Sequence, residues 1–112
     1  MTVVVLGANG MLGHKLLARL SSSLPDVVGT VRAAQPPAAL RHAAPRARIL
    51  GGVHARDHAG LLDLLANLRP TAVVNAIGVI KQRPEAVDAA LTLSVNAVLP
   101  HRLAKWCAAR GV

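Results

Sequence analysis

The chain has 112 residues, 53% of them hydrophobic, with one Trp and no Tyr or Phe, so its core must be built from Leu, Val, Ile and Ala. That aliphatic content, with 16% charged residues, excludes a disordered chain, and the lone Cys107 excludes a disulfide scaffold. Thirteen Lys and Arg against five Asp and Glu give a net charge of +8, but the basic residues are mostly scattered single Arg with no aromatics between them for base stacking, which disfavours nucleic acid as a partner.

Residues 2–6, Thr-Val-Val-Val-Leu, predict a strand buried on both faces of a parallel sheet. From Met11 to about Ser22, Met11, Leu12, Leu16, Leu17 and Leu20 recur at helical spacing, with His14, Lys15 and Arg19 on the other side. Residues 27–31 read as a second strand, and residues 33–45 as a loop with one helical turn after Pro36-Pro37. Residues 48–51 form a weaker third strand. Residues 58–68 form a helix with Leu61, Leu62, Leu64, Leu65 and Leu68 facing inward. Residues 71–77 predict a fourth strand, ended by Gly78, and residues 86–110 a long helix with Leu91, Val95, Leu99, Leu103 and Cys107 at spacings of four. Strand and helix alternate four times without a hairpin signal, so the expected class is α/β with a parallel sheet.

Gly111 reads as a helix C-cap and Val112 as the first residue of a fifth strand, leaving an open edge on the fourth. Residues 1–112 are therefore expected to be the N-terminal part of a longer protein, and Trp106 to pack on a segment outside them. No apolar run approaches the roughly 18–20 residues that cross a bilayer, and the N-terminus lacks the charged and apolar regions of a signal peptide. The expectation is a cytoplasmic protein without a membrane partner.

The strongest motif is Gly7-Ala8-Asn9-Gly10-Met11-Leu12-Gly13, directly after a buried strand and opening a helix. Glycines there allow a tight turn, close approach of a pyrophosphate to backbone N–H groups, and close helix–strand packing. The helix N-terminus adds donors and the positive end of its dipole. The motif thus points to nucleotide binding in a Rossmann-type, doubly wound sheet, here truncated after about four strands.

The spacing is G-x-x-G-x-x-G. With Val74-Asn75-Ala76-Ile77-Gly78, the following Val79-Ile80-Lys81-Gln82-Arg83-Pro84-Glu85, and Val95-Asn96-Ala97, it resembles the extended short-chain dehydrogenase/reductase superfamily. Within it the resemblance is to the dTDP-4-dehydrorhamnose reductase-like branch, near the NAD-dependent epimerases and dehydratases. It covers essentially the whole chain and makes residues 1–112 the start of an NAD(P)-binding domain.

A site that prefers NAD places Asp or Glu at the end of the second strand, roughly 20 residues beyond the glycines. This chain has Arg32 there, and Asp26 lies at the wrong end of the strand. A guanidinium suits a 2′-phosphate, which favours NADP (NADPH) over NAD; the alternative is a solvated surface Arg. The resemblance implies an adenine contact after the third strand, where His54 stands in place of the usual Asp. His54 and His58 have ligand-like spacing, but no Cys or carboxylate cluster accompanies them, so no metal is expected. The resemblance also implies that the backbone of Asn75, Ala76, Ile77 and Gly78 lines the ribose and nicotinamide. Lys81 and Arg83 either meet a phosphate or an anionic substrate, or are solvated.

Pro100 has no N–H for the Asn96 carbonyl four residues earlier, so the helix must loosen there. By resemblance Asn96 supports a proton-relay water beside the catalytic Lys; the alternative is a purely structural bend. The superfamily's Tyr-x-x-x-Lys acid is missing, since the chain has no Tyr, so it is not competent for catalysis alone. The implied function is the NADP-binding portion of a sugar-nucleotide reductase or epimerase, with a nucleotide-sugar substrate and an open question of homo-oligomers. The alternative is a non-enzymatic NADP-sensing or protein-interaction module on the same fold.

Overall fold

A computed structural model describes residues 1–78 and 87–112. The β-branched run becomes β1 (Val3–Leu6), followed by α1 (Met11–Ser23), β2 (Val27–Thr30), α2 (Ala38–Ala43), β3 (Arg48–Leu50), α3 (His58–Leu68) and β4 (Ala72–Asn75). The last helical stretch is α4 (Ala89–Leu93), a π-helical turn (Ser94–Val98) and α5 (Leu99–Arg110). All strand pairs are parallel, in the order β3-β2-β1-β4, with Val3 opposite Val27 and Ala72. This is a Rossmann-like sheet whose order reverses between β1 and β4.

Side chains of β1 alternate between two cores. Val4 and Leu6 pack with Val28 under α3 and α5, against Leu61, Leu65, Leu99 and Leu103. Val5 packs with Val27, Leu17 and Leu40 under α1 and α2 on the opposite face. Parallel strands joined by helical crossovers require this covering of both faces, and it explains why β1 has no polar residue.

Several expectations need correction. Met11 and Leu12 are 90% and 63% exposed, because the first turn of α1 lies beyond the strand ends, where no sheet covers it. Trp106 is buried in the core with Leu65 and Leu103, and Arg110 stacks 4.5 Å from its ring centroid; it needs no outside segment. The fourth strand stops at Asn75, whose Oδ1 accepts the Ile77 N–H at 3.1 Å and turns the chain away from the ladder. The loosening expected at Pro100, by contrast, is present: the Leu99 N–H reaches back five residues to the Ser94 carbonyl.

β4 pairs only with β1 among the described residues. Its other edge opens on an apolar groove of about 380 Å³ lined by Val73, Pro100, Leu103, Cys107 and Val112. No helix of the described residues is long and apolar enough to cross a membrane.

Candidate functional site at the carboxyl edge of the sheet

The carboxyl ends of β1 and β4 meet through backbone. The Ala76 N–H donates to the Leu6 carbonyl at 2.9 Å, and Gly7 follows with φ of +75°. A Cβ on Gly7 would stand 2.9 Å from the carbonyl carbon of Ala76, so only glycine fits. A Cβ on Gly13 would run into the Gly7 carbonyl oxygen, which forces the start of α1 against the turn. Gly10 differs. Its φ is −76°, and the nearest atom to a Cβ there would be the Gly7 oxygen at an ordinary 3.4 Å.

α1 begins at Gly10 with no side-chain cap and no acidic residue in its first turn. Two other helices carry carboxylate caps: Asp57 accepts the Gly60 N–H on α3, and Asp88 accepts the Leu91 N–H on α4, both at 3.0 Å. Unlike theirs, the positive end of α1 has no carboxylate on it among the described residues, and its first N–H groups lie at the switch point where doubly wound sheets take ligands. Asn9 is exposed beside them.

The rim continues sideways. The Ala8 N–H donates to the Thr30 carbonyl, tying the turn to the end of β2. The loops after β2 and β3 are joined in turn: the Val53 N–H donates to the Val31 carbonyl at 3.0 Å, and the Gly52 N–H to that of Ala33 at 2.9 Å. Arg32 and His54 are both exposed on these joined loops. Asp26 sits at the amino end of β2, held by the Thr2 hydroxyl at 2.6 Å and by Arg48 at 3.1 Å, away from the rim. The Thr2 hydroxyl, with help from Arg48, lowers its pKa against a partial desolvation that acts the other way.

On the far side, a Cβ on Gly78 would lie 3.7 Å from Asn96 Oδ1, so the π-helical turn brings Asn96 to the end of β4. The glycine turn, residues 75–78 and Asn96 therefore adjoin. Lys81 and Arg83 lie outside the described residues. His54 and His58 do not share a helix: α3 starts at His58, and the His58 ring instead meets the Ser94 hydroxyl at 3.2 Å. No group of three or more metal-ligating side chains occurs among the described residues.

One residue was missed by periodicity. His14, assigned to the solvent face of α1, is half-buried, and its Nδ1 donates to the Gly10 carbonyl at 2.8 Å. The signal was available: a ring donor four residues after the N-cap glycine can reach that carbonyl.

No curated protein matches the chain in sequence. Among solved structures, the UDP-glucose 4-epimerase of Thermus thermophilus in complex with NAD matches 100% of this chain and 35% of its own, at 24% identity and a TM-score of 0.76. The Bordetella bronchiseptica enzyme WbmH in complex with NAD+ matches 99% of this chain and 36% of its own, at 21% identity and a TM-score of 0.75. The uronate dehydrogenase of Agrobacterium tumefaciens matches 98% and 37%, at 19% identity and a TM-score of 0.69. At these identities the likeness establishes the fold, and the chain spans about a third of the length of the structures it matches. The model of the NAD dependent epimerase/dehydratase family matches residues 3–112, and with the doubly wound sheet and its glycine turn the chain belongs to that family.

Proposed function

We propose that this chain holds a nicotinamide dinucleotide, NADP in preference to NAD, for a sugar-nucleotide reductase or epimerase. The observation that carries the reading is Gly10. Gly7 and Gly13 are required by the protein's own backbone, whereas neither dihedral angle nor packing requires glycine at 10. A missing side chain there is explained by a ligand approaching the uncapped start of α1, and a pyrophosphate has the charge for it.

In this reading the N–H groups at Met11, Leu12 and Gly13 receive the pyrophosphate, with Asn9 beside it. Arg32 binds the 2′-phosphate of the adenosine ribose through charge-assisted bonds, and His54 flanks the adenine. The backbone of residues 75–78 lines the nicotinamide ribose, Lys81 reaches a phosphate, and Asn96 is a positioning residue for a proton-relay water. The dinucleotide supplies or accepts a hydride when bound. The acid that protonates the substrate oxygen is a Tyr beyond these 112 residues, which contain none. Cys107, a lone thiol, is consistent with a cytoplasmic setting.

Calorimetry with NADPH and NADH, on the chain and on Arg32→Ala, tests this. The chain is expected to prefer NADPH, and the variant to lose roughly ten- to a hundredfold of that affinity, the range for hydrogen bonds to a charged group. Equal affinity for both dinucleotides would remove the role of Arg32. Absence of binding by a folded chain would remove the cofactor reading. The alternative is a non-enzymatic NADP-sensing module on the same fold; a Tyr-x-x-x-Lys encoded beyond codon 112 would exclude it.

A further inference from the structure

The Gly10 carbonyl accepts two hydrogen bonds from one residue, the backbone N–H of His14 at 3.0 Å and its ring Nδ1 at 2.8 Å. A carbonyl oxygen only accepts, so Nδ1 carries the proton. Gly10 in turn donates its N–H to the Gly7 carbonyl at 3.1 Å, and that oxygen is the one against which Gly13 packs. A line of bonds thus runs from the His14 ring to the left-handed Gly7 at the β4 junction.

Glycine has the most backbone freedom of any residue, and Gly10 has no side-chain cap to hold it. The Gly10 carbonyl and the Met11 N–H belong to one planar peptide and point in opposite directions. Fixing the carbonyl toward the helix therefore aims the Met11 N–H outward, past the start of α1. We propose that His14 is a positioning residue of the phosphate turn: its ring N–H locks the Gly10–Met11 peptide so that the Met11 N–H is already directed at the anion. The anion's identity rests on the function proposed above; the locking of the peptide does not.

Two variants separate the bond from the ring. His14→Phe keeps an aromatic ring and removes the donor. His14→Ser keeps a donor, since a helical Ser hydroxyl can reach the carbonyl four residues back. Amide hydrogen exchange at Gly10 in the unliganded chain and calorimetric NADPH affinity are read for both, with thermal melts as a control of folding. The Phe variant is expected to exchange Gly10 faster and bind NADPH more weakly, each by about three- to tenfold, the range for one net hydrogen bond. The Ser variant is expected to restore both. Unchanged Gly10 exchange in His14→Phe overturns the proposal, whatever happens to NADPH. So does equal weakening of NADPH binding in both variants with unchanged exchange, which would mean that the ring touches the ligand directly. Altered exchange in His14→Phe, together with no dinucleotide binding by the folded wild-type chain, supports the positioning role and refutes the cofactor reading instead.

Discussion

β1 and β4 lie side by side, and both are built on aliphatic runs, but their surroundings differ. All four residues of β1 are buried, with a strand on each side and helices on both faces. In β4, Val73 and Val74 are half-buried, and Ala72 and Asn75 are exposed. Composition does not separate the two strands; sheet order does. After β3 the chain crosses to the far side of β1, so that among the described residues β1 is central and β4 is an edge. What a Val contributes is therefore set by its neighbours more than by its own β propensity.

The sharpest way to break the central region is Gly13→Ala. Its Cβ meets the Gly7 carbonyl, which is backbone and cannot rotate away, so destabilisation of about 3 kcal/mol or more is expected in denaturant titration, with loss of NADPH binding. The comparison itself is tested by Val5→Ala and Val74→Ala, which sit opposite each other in the ladder. Removing two buried methyl groups from Val5 is expected to cost about 2–3 kcal/mol, and Val74→Ala about 1 kcal/mol. Equal losses would mean that β4 is as enclosed as β1.

Smaller effects follow at the caps. Asp57→Ala is expected to cost about 1 kcal/mol, because α3 carries the buried Leu61 and Leu65. Asp88→Ala should cost less in a melting experiment, since α4 buries no residue. The smallest effect is at the amino edge, where the carboxylate of Asp26 is exposed and ion-paired. Its lowered pKa means that its contribution is fully present above the ordinary Asp range and disappears as pH falls through the folded value. Asp26→Asn should therefore melt below wild type near pH 7, and the gap should close below about pH 4.

The sequence makes the sheet class and the glycine turn legible because both rest on local signals: a β-branched run, then glycines opening a helix. α3 was readable to its boundaries for the same reason, from leucines at helical spacing. Met11 and Leu12 misled because helical periodicity assumes a sheet under every turn. The π-helical turn was half readable: Pro100 announced a lost hydrogen bond, but nothing local said that the Leu99 N–H would reach back to Ser94. The meeting of Gly7 with Ala76 was beyond any local pattern, since it depends on which strand lies next to β1.

That meeting also orders events in time. Thr71 bonds to Thr2 across 69 positions of sequence, and Ala76 seals the turn that begins at Gly7. Closing so long a loop is entropically expensive and slow compared with forming α1 or pairing β1 with β2. During synthesis the glycine turn is among the first segments to leave the ribosome, yet it must wait for the fourth strand before its shape is fixed. A nascent chain shorter than that has the motif in full and no completed cradle.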